Sequence, residues 1–129
     1  MTQNTNEDFP KPGAIIIGTQ NMAKAKTFYQ KVFGITVDFE DETYISAKCT
    51  NGYPLEIEAL NEHRFPNWEK NNIGTYKNIE FEVKNIEEFF AKVTQNGGDI
   101  VSEEKSRPWG KAGEIKDIDG NTFLILEKP

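Results

Sequence analysis

Carboxylates at alternate positions of two short apolar runs are the side chains in this sequence best placed to do chemistry. Glu56 and Glu58 alternate with Leu55 and Ile57, and Asn78, Glu80 and Glu82 alternate with Ile79, Phe81 and Val83. A strand turns successive side chains to opposite faces, so each polar set shares one face while the apolar set goes to a core. Crowded carboxylates favour a cation, or raise one another's pKa and so supply general acid–base chemistry. Ala14 and Ile16, beside core-facing Ile15 and Ile17, take the same free side, as do Leu124 and Leu126 beside Phe123 and Ile125. An apolar wall with a few convergent polar groups is the usual lining of a small-molecule pocket. Trp109 and Phe39 fall in loops or at strand ends, where flat rings close over a flat ligand and attract cations. The candidate ligand-binding set is Glu56, Glu58, Asn78, Glu80, Trp109 and Leu124. The same faces would equally suit solvent or a partner subunit.

The remaining reactive side chains add little. Cys49 is the sole cysteine, which precludes an internal disulfide and fits a small, half-buried strand residue. His63, the sole histidine, falls in a polar stretch and reads as an exposed loop residue. Trp68, in the same stretch, suits a plug onto the core as well as a ligand contact. No histidine cluster and no nucleophile–base pair is present, so no catalytic residue is named.

These side chains must be positioned by elements that the hydrophobic pattern reveals. With 129 residues, 36% hydrophobic and 28% charged, the chain has the size and composition of one soluble globular domain. No apolar run approaches the roughly 20 residues that a membrane helix needs. Residues 1–12 lack the basic start and apolar centre of a signal peptide and read as a flexible tail, so the expected location is the cytoplasm. The net charge of −6 argues against nucleic acid and against anionic membranes, and is compatible with a cationic ligand.

Ala14–Thr19 reads as a strand after Pro12 and Gly13. Asn21 is an N-cap, and Met22, Ala25, Phe28, Tyr29, Val32 and Phe33 follow at helical spacing until Gly34. Strands are expected at Thr36–Phe39, Tyr44–Cys49 and Pro54–Leu60, with Asn51-Gly52 as a tight turn. The polar stretch Asn61–Thr75 links two halves. The pattern then restarts: strand Asn78–Val83, N-cap Asn85, a helix through Ile86, Phe89, Phe90 and Val93 ended by Gly97-Gly98, and strands at Ile100–Glu103, Gly113–Asp117 and Thr122–Glu127. Asn21 and Asn85 lie 64 positions apart, and the same offset matches Ile15 with Ile79 and Ile17 with Phe81. One strand–helix–three-strand unit used twice gives an α+β fold of two βαβββ modules, about 13–60 and 76–128, in a single domain spanning 13–129. The modules form a curved mixed sheet around a cavity. The competing reading is an ordinary α+β sandwich whose halves look alike by accident.

Three strings resemble the glyoxalase/bleomycin-resistance/dioxygenase superfamily, whose fold is also called vicinal oxygen chelate. Asn21-Met22 with Phe28-Tyr29 and Phe33-Gly34 is similar to the family's first helix. Pro108-Trp109-Gly110 is similar to the loop before its penultimate strand. Asp117-Ile118-Asp119-Gly120-Asn121 is similar to its closing hairpin and is the most specific of the three. The resemblance implies four metal-ligand positions, which fall on Ala14, Glu56, Asn78 and Leu124. Alanine and leucine cannot ligate, and a single carboxylate with one amide oxygen holds a divalent ion poorly. No metal and no other cofactor is therefore expected.

Three functions compete. The first, resembling the bleomycin-resistance branch, is metal-independent binding of a small, cationic aromatic molecule. The second is a glyoxalase-like lyase, isomerase or dioxygenase with an atypical site built from Glu56, Glu58 and Glu80. The third is a non-enzymatic interaction protein. The resemblance also implies a homodimer.

Overall fold

The computed structural model describes residues 9–59 and 79–129. The expected tail up to residue 8, the polar stretch Asn61–Thr75 with His63 and Trp68, and the strand positions Leu60 and Asn78 lie outside the described residues. The remaining chain runs β1 (Ile15–Thr19), α1 (Met22–Phe28), a π-helical turn (Tyr29–Phe33), β2 (Thr36–Glu40), β3 (Tyr44–Lys48) and β4 (Pro54–Ala59). It continues through β5 (Glu80–Glu82), α2 (Ile86–Gln95), β6 (Asp99–Arg107), β7 (Gly110–Lys116) and β8 (Thr122–Glu127).

Both helices start for the same reason. Asn21 and Asn85 sit in extended backbone, and each side-chain oxygen accepts the amide three residues on, from Lys24 and Glu88, both at 3.0 Å. That satisfies one of the amides a helix start leaves open. The order β1-β4-β3-β2 builds one four-stranded sheet and β5-β8-β7-β6 the other, each with one parallel pair and two antiparallel pairs. The expected α+β class and the two βαβββ modules are thus present, with each module forming its own mixed sheet.

Three boundaries differ from the sequence reading. The first helix is not α-helical throughout, because the Gly34 amide donates to the Tyr29 carbonyl, five residues back. The wider π turn keeps Tyr29 and Phe33 stacked, with centroids 5.0 Å apart, and lets both enter the core. Gly34 ends the turn at φ 67°, in the left-handed region that glycine tolerates. The hairpin β6–β7 is longer than expected: Arg107 pairs with Gly110, leaving Pro108-Trp109 as a two-residue turn. Polar side chains such as Ser102 and Lys105 mask these ladder positions in the sequence. Strand β5 is shorter, and its described part begins at Glu80.

One core spans both modules. Ile17, Leu55 and Ile57 of the first sheet and Ile115, Phe123 and Ile125 of the second are at most 1% exposed, and they join Phe28, Tyr29, Ile86 and Val93 from the helical layer. Phe33 carries the join, its ring lying 4.8 Å from Phe81, 5.4 Å from Phe89 and 6.0 Å from Phe123. Edge-to-face pairs of this kind add about 0.5–1.5 kcal/mol each beyond their buried area. The helices and core occupy one side of each sheet, and the other side is left for a site. No helix among the described residues is long and apolar enough to cross a membrane.

Candidate functional site

The ladder register fixes what the free faces carry. On the first sheet Ile16 stands beside Glu56, Glu56 beside Ser46, and Ser46 beside Phe39. In the adjacent rung Gly18 stands beside Glu58 and Glu58 beside Tyr44. Phe39 is 56% exposed, and its ring centroid is 6.3 Å from that of Tyr44. Glu58 is only 2% exposed, whereas Glu56 is half-buried. This face therefore combines two carboxylates, the hydroxyls of Ser46 and Tyr44, and two aromatic rings.

On the second sheet Glu80 stands beside Leu124 and Leu124 beside Glu114. Glu82, Leu126 and Ala112 form the next rung. Leu124 is 36% exposed and Leu126 nearly buried. Trp109, 55% exposed, sits at the tip of the β6–β7 hairpin, beyond these rungs. Its position is held by Gly110, at φ 133°, where a Cβ would lie 2.3 Å from the carbonyl oxygen of Glu127.

The six residues named from the sequence thus fall into separate places. Glu56 and Glu58 share the first face, Glu80 and Leu124 the second, and Trp109 sits at the tip of the β6–β7 hairpin, while Asn78 lies outside the described residues. Among the described residues no three His, Cys, Asp or Glu side chains are grouped so that they could hold a metal. Of the implied ligand positions, Ala14 and Leu124 have no donor atom, and Glu56 is flanked by Ile16 and Ser46. The side chains described do not fit the metal that the resemblance implies.

A cleft of about 690 Å³ lies at the seam between modules. Ile15, Phe33 and Cys49 of the first module and Glu80, Phe81 and Phe89 of the second line it. Glu80 is the one member of the sequence-derived set at its edge. Cys49 is half-buried, and burial raises its thiol pKa, so the thiol stays protonated.

The string Asp117–Asn121 does more than turn the chain, which sequence reasoning missed. The Tyr29 hydroxyl donates to Asp117 Oδ2 at 2.5 Å. Asn121 donates to Asp117 through its amide nitrogen at 2.8 Å and its backbone at 2.9 Å, and the Asp119 backbone adds a fourth bond at 2.8 Å. Asp119 in turn accepts from Thr19 Oγ1 at 2.6 Å and from the Gln20 amide at 3.0 Å, while Asn121 Nδ2 donates to the Gly18 carbonyl. Thr19, Gln20 and Tyr29 belong to the first module, so this turn clamps the end of β1 and the first helix to the second. Burial raises the Asp117 pKa, opposed by its four hydrogen bonds. Burial first, and the Asp117 charge second, push the Tyr29 pKa well above its usual range. The only sign in the sequence was that two aspartates and an asparagine are more polar groups than a turn needs.

The repeated βαβββ modules, with one core and two open sheet faces, define a class of small mixed-sheet domain. The chain belongs to the Glyoxalase/Bleomycin resistance protein/Dioxygenase superfamily, whose sequence model matches residues 11–125. Solved structures agree on the fold. A glyoxalase-related enzyme from Fulvimarina pelagi superposes with a TM-score of 0.74 at 19% identity, covering 94% of this chain and 90% of that one. TnmS3, an antibiotic binding protein from Streptomyces sp. CB03234, gives 0.69 at 16% identity, with 94% and 98% covered. The fosfomycin resistance protein FosX from Mesorhizobium loti gives 0.71 at 13% identity, with 94% of each chain covered. No curated protein sequence matches significantly.

Proposed function

We propose that this protein binds a small organic cation with an aromatic part, without a metal, on the free face of the first sheet. The observation that carries the reading is the pairing of Glu56 and Glu58 with Ser46, Tyr44 and Phe39 in adjacent rungs of that face. Carboxylates attract the positive charge, and the exposed Phe39 ring offers a flat surface that favours cations. The acidic balance of the chain works in the same direction. Structural similarity to an antibiotic binding protein supports small-molecule binding as a role this fold accommodates.

The remaining sequence-derived positions take supporting places in this reading. Asn78, Glu80, Leu124 and Trp109 belong to the second module, and a homodimer would supply a second set of them. The exposed Leu124 and Trp109 support association through that module, which sedimentation analysis tests. The single cysteine supports a place in the cytoplasm.

Calorimetric titration with benzyltrimethylammonium and related aromatic cations, in buffer containing EDTA, tests the assignment. Affinity tighter than millimolar, lost in Glu56→Gln, is the expected result. Binding no tighter than millimolar across the panel, or binding abolished by EDTA, would sink it.

A further inference from the structure

The cleft at the seam plays no part in the reading above. Its volume of about 690 Å³ falls in the range that drug-sized ligands occupy, about 300–1,000 Å³. Its floor is aromatic. Phe33 meets Phe81 and Phe89 edge-on, at centroid distances of 4.8 and 5.4 Å, and Ile15 lies beside them. The two walls differ in chemistry. The β3–β4 turn supplies Cys49 and Tyr53, which is 38% exposed. Across from it, β5 supplies Glu80 and Glu82.

β5 is an edge strand. The Ile79 carbonyl and the Val83 amide bond to β8, so by alternation the backbone groups of Glu80 and Glu82 turn to the unpaired edge. Glu82 is engaged by Lys128 at 3.3 Å, whereas among the described residues Glu80 forms no ion pair. An apolar floor thus meets an edge carrying the Glu80 carboxylate, which has no ion pair among the described residues, and the backbone carbonyls of Glu80 and Glu82. A cation at that edge gains both, and an anion would meet the charge of Glu80 and of the acidic chain around it.

We propose that this cleft is a second ligand site, separate from the sheet face, for a fused-ring apolar molecule carrying one ammonium group. The rings lie against Phe33, Phe81 and Phe89, and the ammonium lies at Glu80. The two sites ask for different shapes. The sheet face presents the exposed Phe39 ring for stacking, whereas the seam offers a cleft between the modules. Only the seam places the ligand beside Cys49.

Cys49 provides the test, because it is the only thiol in the chain. Modification of the intact protein by N-ethylmaleimide is followed by mass spectrometry in the presence of naphthylmethylammonium, naphthylmethanol or naphthylacetate. The ammonium is expected to slow labelling about tenfold once present at about ten times its Kd, by mass action. The alcohol protects less, and the carboxylate least. Glu80→Gln weakens the ammonium about two- to fivefold, as loss of an exposed ion pair does, and leaves the alcohol unchanged. Glu56→Gln leaves protection intact while removing binding on the sheet face, so failure of one site is told from failure of the other. Labelling unaffected by all three compounds, or protection by the carboxylate equal to that by the ammonium, overturns the proposal. Protection lost in Glu56→Gln overturns it too, by placing the ligand on the sheet.

Discussion

The two modules share a plan and diverge where they meet. Their helix starts are superimposable in kind, with Asn21 at φ −144° and Asn85 at φ −143°, each capped by its own side chain. Their helix ends are not. The first module continues into the π turn with Tyr29, Val32 and Phe33, whereas at the same offset the second has Val93, Asn96 and Gly97. The larger side chains of the first module reach across the seam to Phe81, Phe89, Phe123 and Asp117. The smaller end of the second makes room for them. A Cβ on Gly98 would lie 3.0 Å from the Phe28 ring and 2.5 Å from the Lys116 carbonyl. A repeated unit joins its copy by becoming asymmetric at the contact, because two equal bulges cannot interdigitate in one core.

The largest test of this asymmetry compares Tyr29→Ala with Val93→Ala by urea denaturation. Tyr29 loses a buried ring and the bond to Asp117, at a cost of about 3–5 kcal/mol. Val93 loses two methyl groups, at a cost of about 1–3 kcal/mol. Equal losses would break the claim that the first helix carries the seam.

Asp117→Ala is expected to cost about 2–4 kcal/mol, because it removes the buried acceptor of the Tyr29 hydroxyl and one acceptor of the Asn121 amide. A loss near zero would mean the clamp is ornamental to the fold. Alkaline titration sharpens the same point. The folded-state pKa of Tyr29 lies above its ordinary value of 10.0, so folding holds the proton. That stability is complete below the unfolded pKa and falls as pH rises from there through the folded pKa, as the unfolded chain releases its proton. Stability measured across this alkaline range should decline more steeply in the native protein than in Tyr29→Phe. Parallel slopes would show that Tyr29 is not the group responsible.

Smaller effects are expected where the modules agree. Asn21→Ala and Asn85→Ala should each cost about 1 kcal/mol in thermal or chemical unfolding, with the two values alike. The least effect is expected from divalent metals. Adding each in turn after EDTA treatment should leave the melting temperature unchanged, since a specific ligand of the folded state raises it. A rise reversed by EDTA would overturn the metal-independent reading.

Much of this architecture was legible beforehand. Alternation of Leu55 and Ile57 with Glu56 and Glu58, and the period-two spacing of Phe123 and Ile125, identified the core face, because strand period is a property of the backbone. The N-caps were legible because asparagine satisfies a helix start through atoms only three residues away. The π turn was not, since Met22 to Phe33 keeps helical spacing, which does not separate a fourth-residue from a fifth-residue bond. The site was legible in part. Glu56 and Glu58 could be placed on one face from their spacing, but which rings stood beside them depended on the pairing of β2, β3 and β4, including the bulge between Val37 and Phe39.

By itself, then, the sequence determined the repeat, the faces and the absence of donor atoms at Ala14 and Leu124, all of which follow from residue type and local geometry. Tertiary structure alone decided the company those residues keep. It set Phe39 and Tyr44 beside the carboxylates, put Trp109 at the tip of a hairpin, clamped Asp117 on Tyr29 and opened the cleft at the seam. Those outcomes join residues up to about 100 positions apart, between which no local period or turn signal runs, and only the shared core selects them.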